Sequence, residues 1–252
     1  MHDSTTSIDV NNISVSFGGV HALRNVSLSV PLGARVGLIG PNGAGKTTLI
    51  NCIAGGLTPD SGDVVVLGRS LQRLSAAQRA RRGIARTFQN LELFASMTVS
   101  ENVLTALDAE FSTLDLVRQG RTFRLRRERV LAALEMFEIG HYANTLAGAL
   151  PYGVRKLVEL SRAFAREPRF LLLDEPVAGL SDSAAFLDVL TRGIDRLGCG
   201  VLLIEHDMPT VRELCSSVYV LDAGEIIAHG TYEEVSSDRR VVDAYLGASD
   251  TA

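Results

Sequence analysis

The sequence GPNGAGKTT, residues 40–48, is a glycine-rich loop that ends in lysine and threonine. It fits the pattern G-x-x-x-x-G-K-[ST], in which glycines let backbone N–H groups curl around phosphates. The preceding ARVGLIG is typical of a short buried strand, and the following KTTLINCIAGG is typical of a helix. The positive end of that helix favours an anion. The order of strand, loop and helix predicts a site for nucleotide phosphates.

The side chains at the end of this loop have separate predicted roles. We expect Lys46 to reach the outer phosphates, where its charge makes it a catalytic residue, and the Thr47 hydroxyl to ligate Mg²⁺. The predicted nucleotide-binding residues of the loop are Gly40, Pro41, Asn42, Gly43, Ala44, Gly45, Lys46, Thr47 and Thr48. The predicted ligands of the loop are therefore a nucleotide and Mg²⁺.

A second acidic motif, FLLLDEP, is an apolar strand that ends in Asp174 and Glu175. We expect Asp174 to hold Mg²⁺ and Glu175 to polarise the attacking water as a general base. Taken alone, the pair could be an acidic turn after a core strand. The phosphate loop upstream favours the catalytic interpretation.

Two further polar residues occupy positions where a γ-phosphate sensor is needed. Gln89 lies in ARTFQN, and His206 ends VLLIEH. A lone histidine after a strand is usually a surface residue, and a lone glutamine carries almost no information. Their order relative to the phosphate loop and the acidic strand predicts that Gln89 contacts nucleotide and metal and that His206 is catalytic.

Composition narrows the class of protein. The 252 residues are 46% hydrophobic and 21% charged, which is ordinary for a globular chain. A net charge of −4 makes the whole chain a poor partner for nucleic acid. No apolar run approaches the roughly 18 residues of a membrane span, and MHDSTTSIDV does not resemble a signal peptide. Three cysteines without a CxxC pair predict no zinc site and a reducing compartment.

The pattern of apolar residues predicts an α/β fold. SIDVNNISVSF and VSLSV alternate as half-buried strands do, while RFLLLDEP and GVLLIEHD are apolar runs of the parallel-sheet kind. We expect a P-loop NTPase (RecA-like) core with an N-terminal antiparallel β subdomain. An inserted α-helical subdomain is predicted at about residues 90–152, and a C-terminal tail at about 225–252.

The order of motifs from Phe17 to His206 resembles the nucleotide-binding subunit of an ABC transporter. The resemblance implies a single ABC ATPase domain over residues 1–252, with ATP hydrolysis coupled to transport. Phe17, in SFGGVHAL, matches the aromatic residue that stacks on adenine in that family. The alternative is a core phenylalanine at a strand end.

The family signature LSGGQ corresponds here to LPYGVRK. Pro151 replaces the serine that would donate to the γ-phosphate, and Val154 replaces the glutamine. Gly153 remains, followed by a helix whose N-terminus can bind an anion through its N–H groups. By resemblance this segment faces the ATP of an opposing subunit, identical or paralogous, so the working unit is a dimer with two ATPs. The departure puts the strength of the γ-phosphate contact in question.

Several stretches resemble the ATPases of branched-chain amino acid importers, with urea and amide importers close by. They are the tyrosine–glycine signature, ARTFQNLELFASMTVSENV, EPVAGL, LLIEHDM and the GTYEEV tail. The resemblance implies a separate membrane permease, indirectly an extracytoplasmic solute-binding protein, and a peripheral place on the cytoplasmic face of the inner membrane. AHGT and AYLG also occur in lipid-export ATPases, which stay an alternative. A soluble non-transport ABC ATPase is the rival class, and intact Glu175 and His206 argue against a binding-only regulator.

The stretch after Gln89 has five apolar residues that keep no helical spacing, namely Leu91, Leu93, Phe94, Met97 and Val99. We interpret part of it as an exposed groove, and in the family this region receives a short permease helix. The alternative is that these residues cap the core of the helical insertion.

Residues 118–129, RQGRTFRLRRER, hold six arginines and one glutamate. A solvated helical face is favoured over contact with nucleic acid or with anionic lipid headgroups.

Overall fold

Two β-sheets and nine helices make up the described part of the chain, which is residues 6–87, 91–108 and 121–247 of a computed structural model. The four-stranded sheet has the order β2-β1-β4-β5. Its strands are β1 Ser7–Phe17, β2 Val20–Pro31, β4 Ser61–Val66 and β5 Arg69–Ser70. All its neighbours pair antiparallel, as the alternating pattern predicts. One face of β1 is buried through Ile8, Val10, Ile13 and Val15.

The six-stranded sheet has the order β10-β9-β3-β8-β7-β6. Its strands are β3 Arg35–Ile39, β6 Ile84–Arg86, β7 Phe170–Asp174, β8 Gly200–Ile204, β9 Ser217–Asp222 and β10 Glu225–Gly230. Every pair is parallel except β9 with β10. Strands β7 and β8 are buried along their whole length, as expected for strands covered on both faces. Because β3, β8 and β7 are neighbours and parallel, the loops after them lie at one edge.

The helices are α1 Lys46–Ala54, α2 Ala76–Arg81, α3 Val99–Asp108, α4 Arg121–Met136, α5 Tyr152–Phe164, α6 Ser183–Leu197, α7 Met208–Leu214, α8 Tyr232–Ser237 and α9 Arg239–Gly247. Short 3₁₀ turns lie at Gly140–Tyr142 and Ala147–Ala149. Helix α1 ends at Gly55, whose φ of 84° is left-handed and suits glycine. In the described residues, no helix is long and apolar enough to cross a bilayer.

The buried residues form separate clusters around the large sheet. One cluster joins α3–α6 to β7 and β8, with Phe137 and Phe164 packed edge to face at 4.9 Å. Another lies between the two sheets and includes α1. In helix α3 the buried Asn102 amide donates to the carbonyls of Phe94, Met97 and Thr98. That amide ties the non-helical segment 91–98 to α3.

Three details differ from or refine the sequence-based expectations. Strand β6 and helix α2 were not predicted, although Ser75 and Gln78 form a capping box at the start of α2. The arginine-rich stretch is described from residue 121 onward as part of α4. Arg124 and Arg127 are exposed as expected of a solvated face, whereas Arg126 is buried.

Candidate active site

The phosphate loop joins β3 to α1 and is shaped by glycines that accept positive φ. Gly40 and Gly45 have φ of 149° and 107°. A Cβ on Gly40 would lie 1.9 Å from the Leu221 carbonyl oxygen, and one on Gly45 2.5 Å from that of Ala22. Both approaches are shorter than any real contact. The loop therefore fits against β2 and the end of β9 only with glycine at these positions.

The inner side of this loop fits phosphate groups. A Cβ on Gly43 would meet nothing within 4 Å, so the space beside it is open. Among the described residues, no backbone carbonyl accepts from the N–H groups of Gly43 or Gly45. Helix α1 begins directly after them at Lys46. Open N–H groups at a positive helix end are the donors that an anionic polyphosphate needs.

The Lys46 side chain arches back over the loop. Its Nζ donates to the carbonyl oxygens of Gly40 at 2.7 Å and Pro41 at 3.0 Å. Burial lowers the pKa of Lys46, while the nearby Glu175 and Asp174 charges oppose that shift. The lysine thus lies on the loop and near the acidic strand end; its contact with the outer phosphates stays a prediction.

Asp174 ends β7 as a buried carboxylate held by Arg86. Its Oδ2 is 3.2 Å from Arg86 Nη2, and the same guanidinium donates to the Asn51 side-chain oxygen in α1. Burial raises the pKa of Asp174, and Arg86 opposes the rise. The Asp174 carboxylate and the Thr47 hydroxyl both offer the oxygen ligands that Mg²⁺ prefers, so the donor set fits that ion. Sequence reasoning missed Arg86.

Glu175 and His206 come together from neighbouring strands. The Glu175 N–H donates to the Ile204 carbonyl at 2.9 Å, which fixes the turn after β7 against β8. Glu175 has a φ of 49°, a left-handed conformation that costs energy for a residue other than glycine. Its Oε1 lies 3.7 Å from His206 Nδ1. The two predicted catalytic side chains are therefore neighbours.

Glu205 is a further acidic residue, completely buried, that sequence reasoning missed. It accepts the N–H of Val177 at 3.4 Å and of His206 at 3.2 Å. Burial raises its pKa, and these backbone donors oppose the rise. Glu205 thereby connects the loop after Glu175 to the loop that carries His206. A glutamate at the end of an otherwise apolar strand was the available signal.

The signature stretch starts α5 and lies against the loop after Glu175. A Cβ on Gly153 would be 3.7 Å from Leu180, and the Tyr152 hydroxyl donates to the Ala178 carbonyl at 3.3 Å. Pro151 is the N-cap residue and makes no side-chain capping bond. Together they border a cavity of about 490 Å³. In this chain Gly153 is thus placed with loop 177–182.

The remaining predicted site residues are Phe17 and Gln89. Phe17 ends β1 before the Gly18–Gly19 turn and is 53% exposed, so it is not a core residue. Its ring is free to stack on a ligand. Gln89 lies outside the described residues.

The C-terminal strands and helices pack behind the phosphate loop. Ile39, the last residue of β3, shares a buried cluster with Val235 of α8 and Val241 of α9. Tyr245 packs on the same cluster, and burial raises its pKa. The tail is therefore part of the support of the loop, a contact that sequence reasoning did not predict.

Comparison with known proteins decides the family. The ABC transporter family model matches residues 23–178, which carry the phosphate loop, the signature and the acidic strand. The chain belongs to the ABC transporter family. A second model, described as branched-chain amino acid ATP-binding cassette transporter, matches residues 225–251. The chain is an ABC-type ATPase, and the predicted enzyme class is confirmed.

Individual relatives of this ABC ATPase cover nearly its whole length. Two are high-affinity branched-chain amino acid transport ATP-binding proteins. LivG of Salmonella typhimurium is 37% identical over 94% of this chain and 96% of its own length. BraF of Pseudomonas aeruginosa is 38% identical over 95% and 97%. The lipopolysaccharide export ATP-binding protein LptB of Haemophilus influenzae is 36% identical over 95% and 97%.

Solved structures confirm the P-loop NTPase fold of this ABC ATPase. An ATP-binding cassette of an ABC transporter in its ADP conformation matches with a TM-score of 0.83 at 33% identity, over 96% of this chain and 99% of that chain. A dimeric cassette in a post-hydrolysis state, bound to ADP and phosphate, matches with a TM-score of 0.76 at 26% identity, over 89% and 98%.

Proposed function

We propose that this ABC ATPase powers the import of branched-chain amino acids, or of a similar small polar solute, through a separate membrane permease. The observation that carries the proposal is the match of residues 225–251 to the branched-chain amino acid cassette model. LivG and BraF, whose names state that activity, support it over almost the full chain. An extracytoplasmic solute-binding protein would deliver the solute to the permease.

The side chains at the strand ends have the following proposed roles in ATP hydrolysis. Lys46 binds the outer phosphates, Asp174 and Thr47 hold Mg²⁺ together with Gln89, and Phe17 stacks on adenine. Mg²⁺, when bound, supplies positive charge to the phosphate oxygens. Glu175 accepts a proton from water as the water oxygen bonds to the γ-phosphorus and the bond to the bridging oxygen breaks. His206, 3.7 Å from Glu175, stabilises the charge of the transferring group.

The working unit in this proposal is a dimer of identical or paralogous subunits. Gly153 and the start of α5 lie with loop 177–182, on a surface that borders an open cavity. In the dimer this surface faces the ATP on the phosphate loop of the other subunit. A related cassette is solved as a dimer with ADP and phosphate, which supports the arrangement.

The proposed permease contact is a groove beside segment 91–98. Phe94 is 49% exposed, and the Arg162 guanidinium lies over its ring at 5.9 Å. Arg162 also donates to the Glu92 carbonyl oxygen, which fixes the segment on α5. The lining of a neighbouring cavity of about 380 Å³ includes seven alanines, five of them in α1–α3, and four charged residues, one of which is Arg162. A short permease helix with small apolar side chains fits such a groove.

This assignment implies the following domain organisation and location. Residues 1–252 form one ABC ATPase domain, in which about 90–152 are an inserted helical subdomain and about 225–252 a C-terminal tail. The subunit binds the permease peripherally, on the cytoplasmic face of the inner membrane.

Uptake of labelled leucine in cells that lack this chain tests the proposal. The parent chain should restore uptake, and Glu175→Gln expressed at the same level should not. The similarity to LptB favours lipopolysaccharide export as the second candidate. If cells that lack the chain take up leucine normally but fail to deliver lipopolysaccharide, the second candidate is correct and the first is wrong.

A further inference from the structure

An open cleft with a strongly positive lining lies away from the catalytic residues. Its volume is about 530 Å³, within the range of small-molecule sites. Five arginines and one glutamate line it, namely Arg69, Arg81, Arg82, Arg166, Arg169 and Glu167. The whole chain has a net charge of −4, so this cleft has the opposite sign to the protein as a whole.

The cleft is at the opposite edge of the large sheet from the phosphate loop. Ile84 and Arg169, which line it, are at the amino-terminal ends of the parallel strands β6 and β7. The phosphate loop and Asp174 are at the carboxyl ends of β3 and β7. A ligand in the cleft therefore occupies a site distinct from the ATP site.

Local backbone geometry brings several of these arginines into one place. Gly83, between Arg82 and β6, has a φ of 88°, and its carbonyl accepts the N–H groups of Arg169 and Phe170. A Cβ on Gly83 would lie 3.0 Å from Arg169 Cγ. The turn after α2 and the start of β7 are thus held side by side, with Arg82 and Arg169 on the same cleft.

Three of these arginines form no ion pair in the part of the chain that the structure describes. In the described ranges, no carboxylate forms an ion pair with Arg69, Arg82 or Arg169, and all three are exposed. Like charges around one cleft repel over distances shorter than the Debye length of about 8 Å. A bound anion removes that repulsion. Guanidinium groups are also the donors that suit phosphate oxygens best.

We propose that this cleft binds an anion that carries phosphate groups, either a soluble phosphate compound or the headgroup of an anionic lipid. The cleft shares Ala80, Ile84, Ala85 and Arg166 with the alanine-lined cavity described above. A bound phosphate would therefore touch the wall of the groove assigned to the permease. The proposal itself requires only phosphate chemistry and no particular transported solute.

Two probes separate the sources of phosphate. Pyrophosphate binding is measured by calorimetry on the purified chain with ADP at saturation, so that the phosphate loop is occupied. Co-sedimentation is measured with phosphatidylcholine vesicles with and without phosphatidylglycerol. The double variant Arg82→Gln/Arg169→Gln tests the cleft. The matched control is Arg127→Gln/Arg196→Gln, which removes the same charge from exposed positions on α4 and α6.

Whichever of the two probes binds the parent chain should bind the cleft variant about tenfold or more weakly, while the control variant should bind it almost as the parent does. Arg82→Lys/Arg169→Lys keeps the charge and should retain most of the binding. Pyrophosphate binding without vesicle binding identifies a soluble ligand, and vesicle binding that requires phosphatidylglycerol identifies a lipid headgroup. Binding by neither probe, or equal loss in the control, overturns the proposal. Basal ATPase activity should be unchanged in the cleft variant, so this result is independent of the leucine uptake test.

Discussion

Two regions of the chain are assigned to ATP, the carboxyl ends of β3, β7 and β8 and the start of α5. They differ in how far their residues contact one another within the single chain. At the strand ends, Lys46 donates to the backbone of its own loop, and the side chains of Glu175 and His206 approach each other from separate strands to 3.7 Å. At the start of α5, Pro151 is exposed, caps nothing through its side chain, and borders an open cavity. The difference supports the proposal that one chain holds the catalytic half of the site and presents the other half to a partner subunit.

The strongest test of the catalytic half is Glu175→Gln, which keeps the side-chain size and removes the base. Turnover should fall by about two decades or more, in line with the loss of a general base, while Mg-ATP still binds. Steady-state ATPase assays and nucleotide-binding calorimetry measure the two effects. Glu167→Gln, an exposed residue in another turn, is the control. Hydrolysis at near the parent rate in Glu175→Gln would contradict the assignment of Glu175 as the base.

Lys46→Ala tests the phosphate loop itself. The variant removes a charged donor to the outer phosphates, which is worth about 1.5–3 kcal/mol of binding free energy, or roughly 10- to 150-fold in affinity. Calorimetry with ATP measures the loss, and AMP, which lacks the outer phosphates, should lose much less. Equal affinity of parent and variant for ATP would place the lysine elsewhere.

The positions of Asp174 and His206 at the strand ends could be predicted because each follows an apolar strand that the sequence identifies locally. Asp174 and His206 stand at the ends of apolar runs, and adjacent parallel strands then place them at one edge. Sequence reasoning missed the Arg86–Asp174 ion pair, since the partners are 88 positions apart and no local pattern relates them. Strand β6 has only three residues, too few to show a period. The role of Glu205 also depends on which loops meet, which is a tertiary property.

Pro151→Ser tests whether the start of α5 faces the ATP of a partner subunit. Pro151 has φ −56° and ψ 153°, a backbone conformation that an N-cap serine also adopts. The hydroxyl should cap α5 and stabilise the fold by about 1 kcal/mol, offset in part by the lost rigidity of proline. If this surface faces a partner's ATP, the hydroxyl should also favour the ATP-bound dimer. Thermal melts and sedimentation of the Glu175→Gln background in ATP measure the two effects.

A dimer that is unchanged or weakened by Pro151→Ser would separate this surface from the γ-phosphate. The control is Pro168→Ser, because Pro168 is buried in the turn before β7, beyond the opposite end of α5 from the signature. Its substitution should lower stability without any effect on ATP-dependent association.

The smallest expected effect on the isolated subunit comes from Phe94→Ala, because the side chain is 49% exposed. Five apolar residues of this stretch were treated alike in sequence, but Val99 proves to be fully buried at the start of α3. Val99→Ala should therefore cost about 2 kcal/mol and lower the melting temperature by roughly 4 to 8 °C. Phe94→Ala should stay within about 0.5 kcal/mol of the parent and keep its ATPase activity. The effect of Phe94→Ala should instead be a decrease in co-purification with the permease and in leucine uptake. If the melting temperature of Phe94→Ala falls as far as that of Val99→Ala, the Phe94 ring belongs to the core of the helical region, and the proposed permease contact at this groove is wrong.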